Sequence, residues 1–546
     1  MNGDTQFGWS GAFFIILIAS VLLTVPVSLL LRHLYASSIK KSMRGYAQTP
    51  LAPSGCEVVE PDAAPAPDVP TPLRIEIVEG DALPPLSGED ATLCRRAVLT
   101  PRRAALVYTL AGFVHAALAT TILFRIEGIE FSPFRTILTV FILAWPVVPT
   151  IVIVAVADRR LQFIAPVLFV ITLLLISGEY RVVIGLLWLE QMLIPTLAMF
   201  LIANWWLRSV GPLVLVFMSV FFCGLWFSPF IAFNLISERL GLDNAALIIV
   251  LTVCLVALFT VAALASLVSI RWRYERKWAS DQSGILHLYW LLFTEWQCLF
   301  LIKKAGLGAV AGLLAYVGFS LVLWFGLRPF KRAAEARGNV KLLLLRVFGS
   351  SARSEHFLET VGLRWRYIGS IQLIAGDDLA VANLEPHEFL DFLVGQSARR
   401  FIKNSGDLER NVREIDTHPD PDGRFRINEF FCLEDTWRGA LLRLVGDTDA
   451  VLMDLRGFTR CNRGVVFELT QLLNVKPSQK IVFTIDATSD LDYVREVLAA
   501  AWQRMSINSP NRRAPAEAIR LLRLERQGYR QAQQLLSMLC RAAHVS

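Results

Sequence analysis

Apolar residues follow two patterns in this chain, and the patterns meet near residue 340. Before that point long apolar runs recur. After it, short apolar runs alternate with amphipathic stretches. A helix needs about 20 apolar residues to cross a hydrocarbon core about 30 Å thick. Runs near that length occur at 11–31, 104–124, 136–156, 161–177, 183–206, 211–233, 246–270 and 305–327. A ninth run, 284–302, is apolar and aromatic but contains His287 and Glu295. It fits either a span or an amphipathic helix lying at the interface.

The polar residues between these runs predict the orientation. Lys40 to Arg44, Arg95 to Arg103, Arg159–Arg160, Arg208 and Arg271 to Lys277 mark one side. Glu127, Glu130, Glu179, Glu238 and Asp243 mark the other. Basic loops stay in the cytosol. The first run lacks a basic n-region and a cleavage site, so it reads as a retained anchor with the N-terminus outside. Arg328 to Arg337 return the chain to the inside, which needs 284–302 and 305–327 to form a hairpin. Nine spans result, with Lys303–Lys304 uncomfortably at an outer turn.

Composition agrees with this division. Hydrophobic residues make up 54% of the chain and charged residues 18%, which excludes an ordinary soluble, collagenous or disordered protein. The expected organisation is an anchor helix at 1–35, a Pro/Ala-rich disordered cytosolic loop at 36–100 and a multi-span membrane domain at 101–330. A cytosolic α/β domain at 340–508 and a basic amphipathic helix at 510–546 follow. A short strand at Leu73 to Val78 fits inside the Pro-rich stretch. Glu190, inside an apolar run, is costly in hydrocarbon and so a functional candidate for a transporter. A hydrogen-bonded or interfacial glutamate is its bland alternative.

From residue 340 the pattern predicts strands at Val340–Val347, Ser370–Ala375, Ala450–Leu455 and Lys480–Ile485. Helices are predicted at Ser354–Tyr367, Glu385–Ile402, Gly464–Leu473 and Asp490–Met505. Continuous apolar strands interleaved with helices indicate a Rossmann-like three-layer sandwich around a parallel sheet. Ligands of such sheets sit beyond the carboxyl ends of the strands. The candidates there are Ser350, Ser351 and Arg353 after the first strand, and Asp377 after the second. After the third come Asp454, Arg456, Asn462 and Gly464, with Glu468 following. Arg346 or Arg353 suits a phosphate, because guanidinium binds it as a bidentate fork.

Asp454 at a strand end, then Gly464, Phe467 and Glu468, resembles the pattern of nucleoside deoxyribosyltransferases. There a Gly-x-x-aromatic-Glu stretch opens a helix and the Glu is the nucleophile at the sugar carbon. Glu468-Leu469 is also similar to the Glu of Toll/interleukin-receptor (TIR) domains, some of which cleave NAD, although Gly464-Val465 stands where many of those carry Trp-Cys. Over 340–505 the resemblance implies a Rossmann-like fold with Glu468 as the catalytic residue. NAD or a nucleotide would be its ligand or substrate, and no resident cofactor is implied. A carboxylate suits N-glycosidic cleavage because it stabilises or traps an oxocarbenium-like state. A first-turn glutamate favoured by the helix macrodipole would show the same spacing.

His418 to Glu429 partly matches a calcium-loop register at Asp420, Asp422, Gly423 and Glu429, but His418 holds the first ligand position. Pro421-Asp422-Gly423 before Phe425 and Ile427 reads better as a hairpin turn. The stretch Ala516–Ala543 reads as one helix, which packs on the sheet or pairs with a copy of itself rather than lying on lipid. Cys432 and Cys461 lack metal-ligand spacing, and no P-loop, complete GxGxxG or HExxH occurs. The expected partners are the bilayer of an inner (plasma) membrane, a nucleotide ligand and a second copy of the chain, without nucleic acid. Three functions compete: a signalling or defence effector acting on a nucleotide, a non-enzymatic receptor or scaffold, and a transporter with a regulatory tail.

Overall fold

Apolar segments without water must satisfy their own backbone groups, so the long runs become helices. The computed structural model describes residues 3–45, 73–79, 86, 88–155, 159–176, 182, 185, 196, 207, 210–241, 244–347, 361–375, 386–395, 401–432, 436–512, 518–524 and 529–544. The chain divides into two units. One comprises 1–35, 102–330 and 384–394, the other 36–101, 331–383 and 395–546.

The helices, in chain order, begin with α1 (Gly3–Gly45), α2 (Gly88–Glu127), α3 (Pro133–Leu143), α4 (Val147–Ala155) and α5 (Arg159–Ile176). α6 (Gly211–Phe233), α7 (Ala245–Glu275), α8 (Asp281–Ala305) and α9 (Leu313–Arg337) follow. Among the described residues five helices, α1, α2, α6, α7 and α9, are long and apolar enough to cross a membrane, and the pair α3–α4 makes a sixth if counted as one span. The run 136–156 is therefore not one straight helix. It bends by 44° between Leu143 and Val147, where Pro146 cannot donate a backbone hydrogen bond. Residues 183–206, and with them Glu190, lie almost wholly outside the described residues. α5 covers 161–177.

α8 runs through 284–302 as one helix, with Leu286, Trp290, Phe293 and Trp296 buried against its neighbours, but it is not among the helices long and apolar enough to cross a membrane. Trp290 stacks on Phe319 of α9 and donates to Thr150 Oγ1 of α4 at 3.1 Å. Gly112 of α2 has no Cβ, and one there would collide with Val147 and Trp290. Small residues allow such close helix approach. At the far end of α8, Lys304 is ion-paired with Glu127 at the end of α2. The charge at the expected outer turn is therefore matched by a residue of another expected outer loop. A short helix, α10 (Pro386–Leu393), also belongs to this unit. Its Asp391 meets Arg271 of α7 at 2.9 Å.

The second unit is an eight-stranded, wholly parallel sheet in the order β1-β8-β7-β6-β2-β3-β5-β4. The strands are β1 (Ile75–Val78), β2 (Leu342–Arg346), β3 (Ile371–Ala375), β4 (Phe401–Ile402), β5 (Ile427–Cys432), β6 (Ala450–Asp454), β7 (Ile481–Ile485) and β8 (Ile519–Arg523). The helices are α11 (Ser405–Arg413), α12 (Trp437–Asp447), α13 (Arg463–Val475), α14 (Leu491–Gln503) and α15 (Tyr529–His544). Alternate residues of each strand sort to opposite faces. Leu343, Leu345, Met453 and Phe483 pack under α12, α13 and α14. Leu342, Leu344, Leu452 and Val482 pack under α15, with Leu93 and Ala97 of α2. Helices on both faces make the three-layer sandwich that the continuous apolar strands predict.

Four expectations need correction. The stretch 36–100 is not uniformly disordered: α1 extends to Gly45, Ile75–Val78 is an edge strand on β8, and α2 starts at Gly88. The span 510–546 is not one helix, because Ile519, Leu521 and Leu522 are buried in β8. The stretch Glu385–Ile402 is also broken. Its helix stops at Leu393, Gly395 takes φ +78°, and Phe401–Ile402 pairs with β5. The turn at Gly423 (φ +81°) forms, but β5 then pairs in parallel with β3, so it is no hairpin arm.

Candidate functional site

The sheet reverses its direction of growth between β2 and β6. From β2 the chain runs outward to β3 and later returns to β6 on the opposite side. Such a reversal opens a crevice at the carboxyl ends of the two strands. The last residues of these strands, Arg346 and Asp454, are register partners. Both are buried, as is Glu468 at 1% exposure. A charged trio therefore sits where an open α/β sheet binds its ligand.

Each carboxylate is held differently. Asp454 accepts two side-chain bonds from Arg456, Nε at 2.8 Å and Nη2 at 2.7 Å, a longer one from Arg456 N at 3.3 Å, and one from Thr484 Oγ1 at 2.9 Å. Gly457 at φ +73° turns the chain immediately after Arg456. Thr484 reaches Asp454 because the two are register partners on β7 and β6. Asp454 is thus engaged mainly at Oδ1, whereas its Oδ2 accepts the Arg456 Nη2 bond. On the next strand end, Asp486 accepts from Thr488 N at 2.9 Å and Thr488 Oγ1 at 2.6 Å. Burial alone would raise the Asp486 carboxyl, but Thr488, Ser489 and nearby Arg456 hold it below its ordinary value.

Glu468 is the exception. It lies in the second turn of α13, not at its start, since the helix begins at Arg463. The macrodipole therefore does not account for it. Its Oε2 is buried without a hydrogen-bond partner among the described residues. Burial pushes the carboxyl up to about 8, against the opposing charge of Arg346. A carboxyl at that value is mostly protonated near pH 7 and donates rather than attacks.

The remaining candidates divide. Asn462 Oδ1 accepts from Thr459 N at 2.9 Å and Thr459 Oγ1 at 3.1 Å, so it shapes the loop. Gly464 lies in the first turn of α13, where a Cβ would make only ordinary contact with the Trp437 ring. Ser350, Ser351, Arg353 and Asp377 lie outside the described residues. Sequence reasoning missed Thr484; its signal is a lone polar residue in the apolar strand IVFTI, level with Asp454. Asp420 and Asp422 are engaged by Arg426 and Arg424 rather than arranged around a cation. Among the described residues no group of His, Cys, Asp and Glu is arranged to hold a metal. No family model matches the chain, and neither a curated protein nor a solved structure matches it.

Proposed function

We propose that this is a multi-pass inner-membrane protein of nine spans whose cytosolic α/β domain binds a nucleotide-class ligand at the β2–β6 crevice, as a signalling or defence effector does. The observation that carries the reading is Glu468 Oε2, buried and unpartnered beside buried Arg346 at the switch point. A buried carboxyl oxygen without a partner costs stability. Groups of this kind with shifted proton affinity cluster at functional sites. A ribose hydroxyl would satisfy Glu468, and a phosphate would suit Arg346. The resemblance to deoxyribosyltransferases and TIR domains adds N-glycosidic cleavage as the reaction. There the protonated Glu468 would first donate its proton to the leaving base, as a general acid.

The test uses the full-length protein in detergent, titrated calorimetrically with NAD and with nucleosides while base release is followed by chromatography. Binding that Arg346→Met abolishes, and base release that Glu468→Gln abolishes, would support both parts. Binding without base release leaves a receptor. Self-association without nucleotide binding favours the scaffold. The transporter reading draws on His115 in the membrane unit. It is fully buried, its Nε2 hydrogen-bonds Thr294 Oγ1 at 2.7 Å, and its Nδ1 has no partner among the described residues. Substrate flux that is lost in His115→Ala but intact in Glu468→Gln would establish transport instead.

A further inference from the structure

Two free cysteines of the α/β unit meet away from the crevice. Cys94 on α2 packs against the buried cluster that contains Cys540 on α15, and neither is in a disulfide. The two helix segments also join at other points. Leu93 and Ala97 share a buried cluster with Leu535, Leu536 and Leu539. Glu89 Oε2 lies 3.1 Å from His544 Nε2. The two cysteines are therefore held close by the packing of two helices.

The two thiols differ. Cys94 is half-buried and Cys540 is buried. Cys94 precedes the apolar run 104–124 and so stands outside the expected span. The neighbouring Cys540 and Ser537, with the Arg364 charge nearby, favour its thiolate against the cost of burial. Cys540 is desolvated beside Cys94, so it keeps its proton. Arg364 also lines a small groove with Val361, Ala532, Leu535 and Leu539 of α15.

We propose that Cys94 and Cys540 form a peroxide-responsive dithiol, with Cys94 as the oxidised sulfur and Cys540 as the resolving one. The Cys94 thiolate attacks one oxygen of a hydroperoxide. The O–O bond breaks, Cys94 becomes a sulfenic acid, and the released hydroxide or alkoxide takes up a proton. The Cys540 thiol then loses its proton, its sulfur attacks the Cys94 sulfur, and the hydroxyl leaves as water. The two thiols have lost two electrons to the peroxide, and an S–S bond joins α2 to α15. Thiolate character and a neighbouring resolving thiol are what select a redox-sensor cysteine. A transient disulfide of this kind suits a cytosolic domain. Its product is a covalent lock on α15, the helix that covers one face of the sheet.

The experiment takes reduced full-length protein in detergent and adds hydrogen peroxide with dimedone present or absent. Non-reducing digestion and mass spectrometry then locate the products. Expected is a Cys94–Cys540 crosslink that dithiothreitol reverses and that forms about tenfold faster than any modification of exposed Cys461. Cys540→Ser should let dimedone trap Cys94 as sulfenic acid, whereas Cys94→Ser should leave Cys540 unlabelled. Oxidation of Cys461 or Cys254 ahead of Cys94, or equal labelling of Cys540 in Cys94→Ser, would overturn the proposal. So would a Cys94 that reacts at the ordinary rate and forms no crosslink.

Discussion

Two regions of the α/β unit bury arginine beside carboxylate, and they do so to different degrees of completion. In the turn before β5, Arg426 Nη2 meets Asp420 Oδ1 at 2.9 Å and Arg424 Nε meets Asp422 Oδ2 at 3.0 Å. Backbone bonds close the same turn, including Asp420 N to Arg424 O at 2.8 Å. At the crevice, Arg346 and Glu468 are buried as deeply, yet Glu468 Oε2 has no hydrogen-bond partner among the described residues. Burial of charge is common to both, so burial does not single out the crevice. The incomplete satisfaction of Glu468 does. A closed charge cluster serves the fold, whereas an open one keeps a vacancy at a cost to stability.

The largest effect should come from breaking the closed cluster. Asp420→Ala removes the close ion partner of buried Arg426 and leaves Asp416 at a more distant 3.5 Å. Removing one member of a buried pair costs about 3–5 kcal/mol. The full-length protein should lose cooperative melting of its α/β unit, read by near-ultraviolet circular dichroism. A loss under about 1 kcal/mol would place this turn among the weak surface pairs and erase the contrast with Glu468.

The second prediction concerns pH. The Glu468 carboxyl has an ordinary value of 4.5 and is pushed to about 8 in the folded chain. The folded state therefore holds a proton that the unfolded state releases between these values. Its contribution to stability is fully present below about pH 4.5 and is lost as pH rises through about 8. Glu468→Gln should flatten this part of the profile and raise the melting temperature at pH 9. Melting curves at pH 5, 7 and 9 for both proteins decide it. An unchanged slope would mean that Glu468 is satisfied, and the crevice would then resemble the turn.

The contrast between regions extends to what was legible in the residues. β2, β3, β6 and β7 were readable because LLLLR, IQLIA, AVLMD and IVFTI are buried on both faces and carry their signal locally. The outlying strands β4 and β8 were not. β8 is IRLLR, with Arg520 exposed, and its leucine and arginine spacing also suits a helix. β1 and β8 are distant in sequence, so nothing near either strand announces the pairing. At the site, Asp454 and Glu468 were legible from their position after a strand. Their surroundings were not, since Thr484 reaches Asp454, and Arg346 comes near Glu468, only through sheet register and tertiary packing.

A third prediction sharpens the account of Asp454. Thr484→Val removes one of its donors and keeps the side-chain shape. The loss should be about 1–2 kcal/mol, because Arg456 still supplies two side-chain bonds. Nucleotide binding should survive if Asp454 serves the fold, and should fall with stability unchanged if Asp454 serves the ligand. Thermal melting and calorimetric titration of the same preparation separate these results.

The smallest effect is expected at an ion pair outside the sheet. Arg271 meets Asp391 of α10 at 2.9 Å, with side chains 32% and 18% exposed. Arg271 is also bonded to Glu275 on its own helix at 2.7 Å. Water screens a pair this open, so Arg271→Ala should cost no more than about 1 kcal/mol. α10 has other holds: Phe389 is buried, and Phe392 meets the buried Tyr35 ring edge-on at 5.2 Å. Phe392→Ala should therefore cost more than Arg271→Ala, because burial of an aromatic ring outweighs a screened charge pair. Limited proteolysis between residues 376 and 400, compared across the two variants, reads the loosening of α10. Faster cleavage in Arg271→Ala than in Phe392→Ala would show that charge, not packing, secures this helix to the membrane unit.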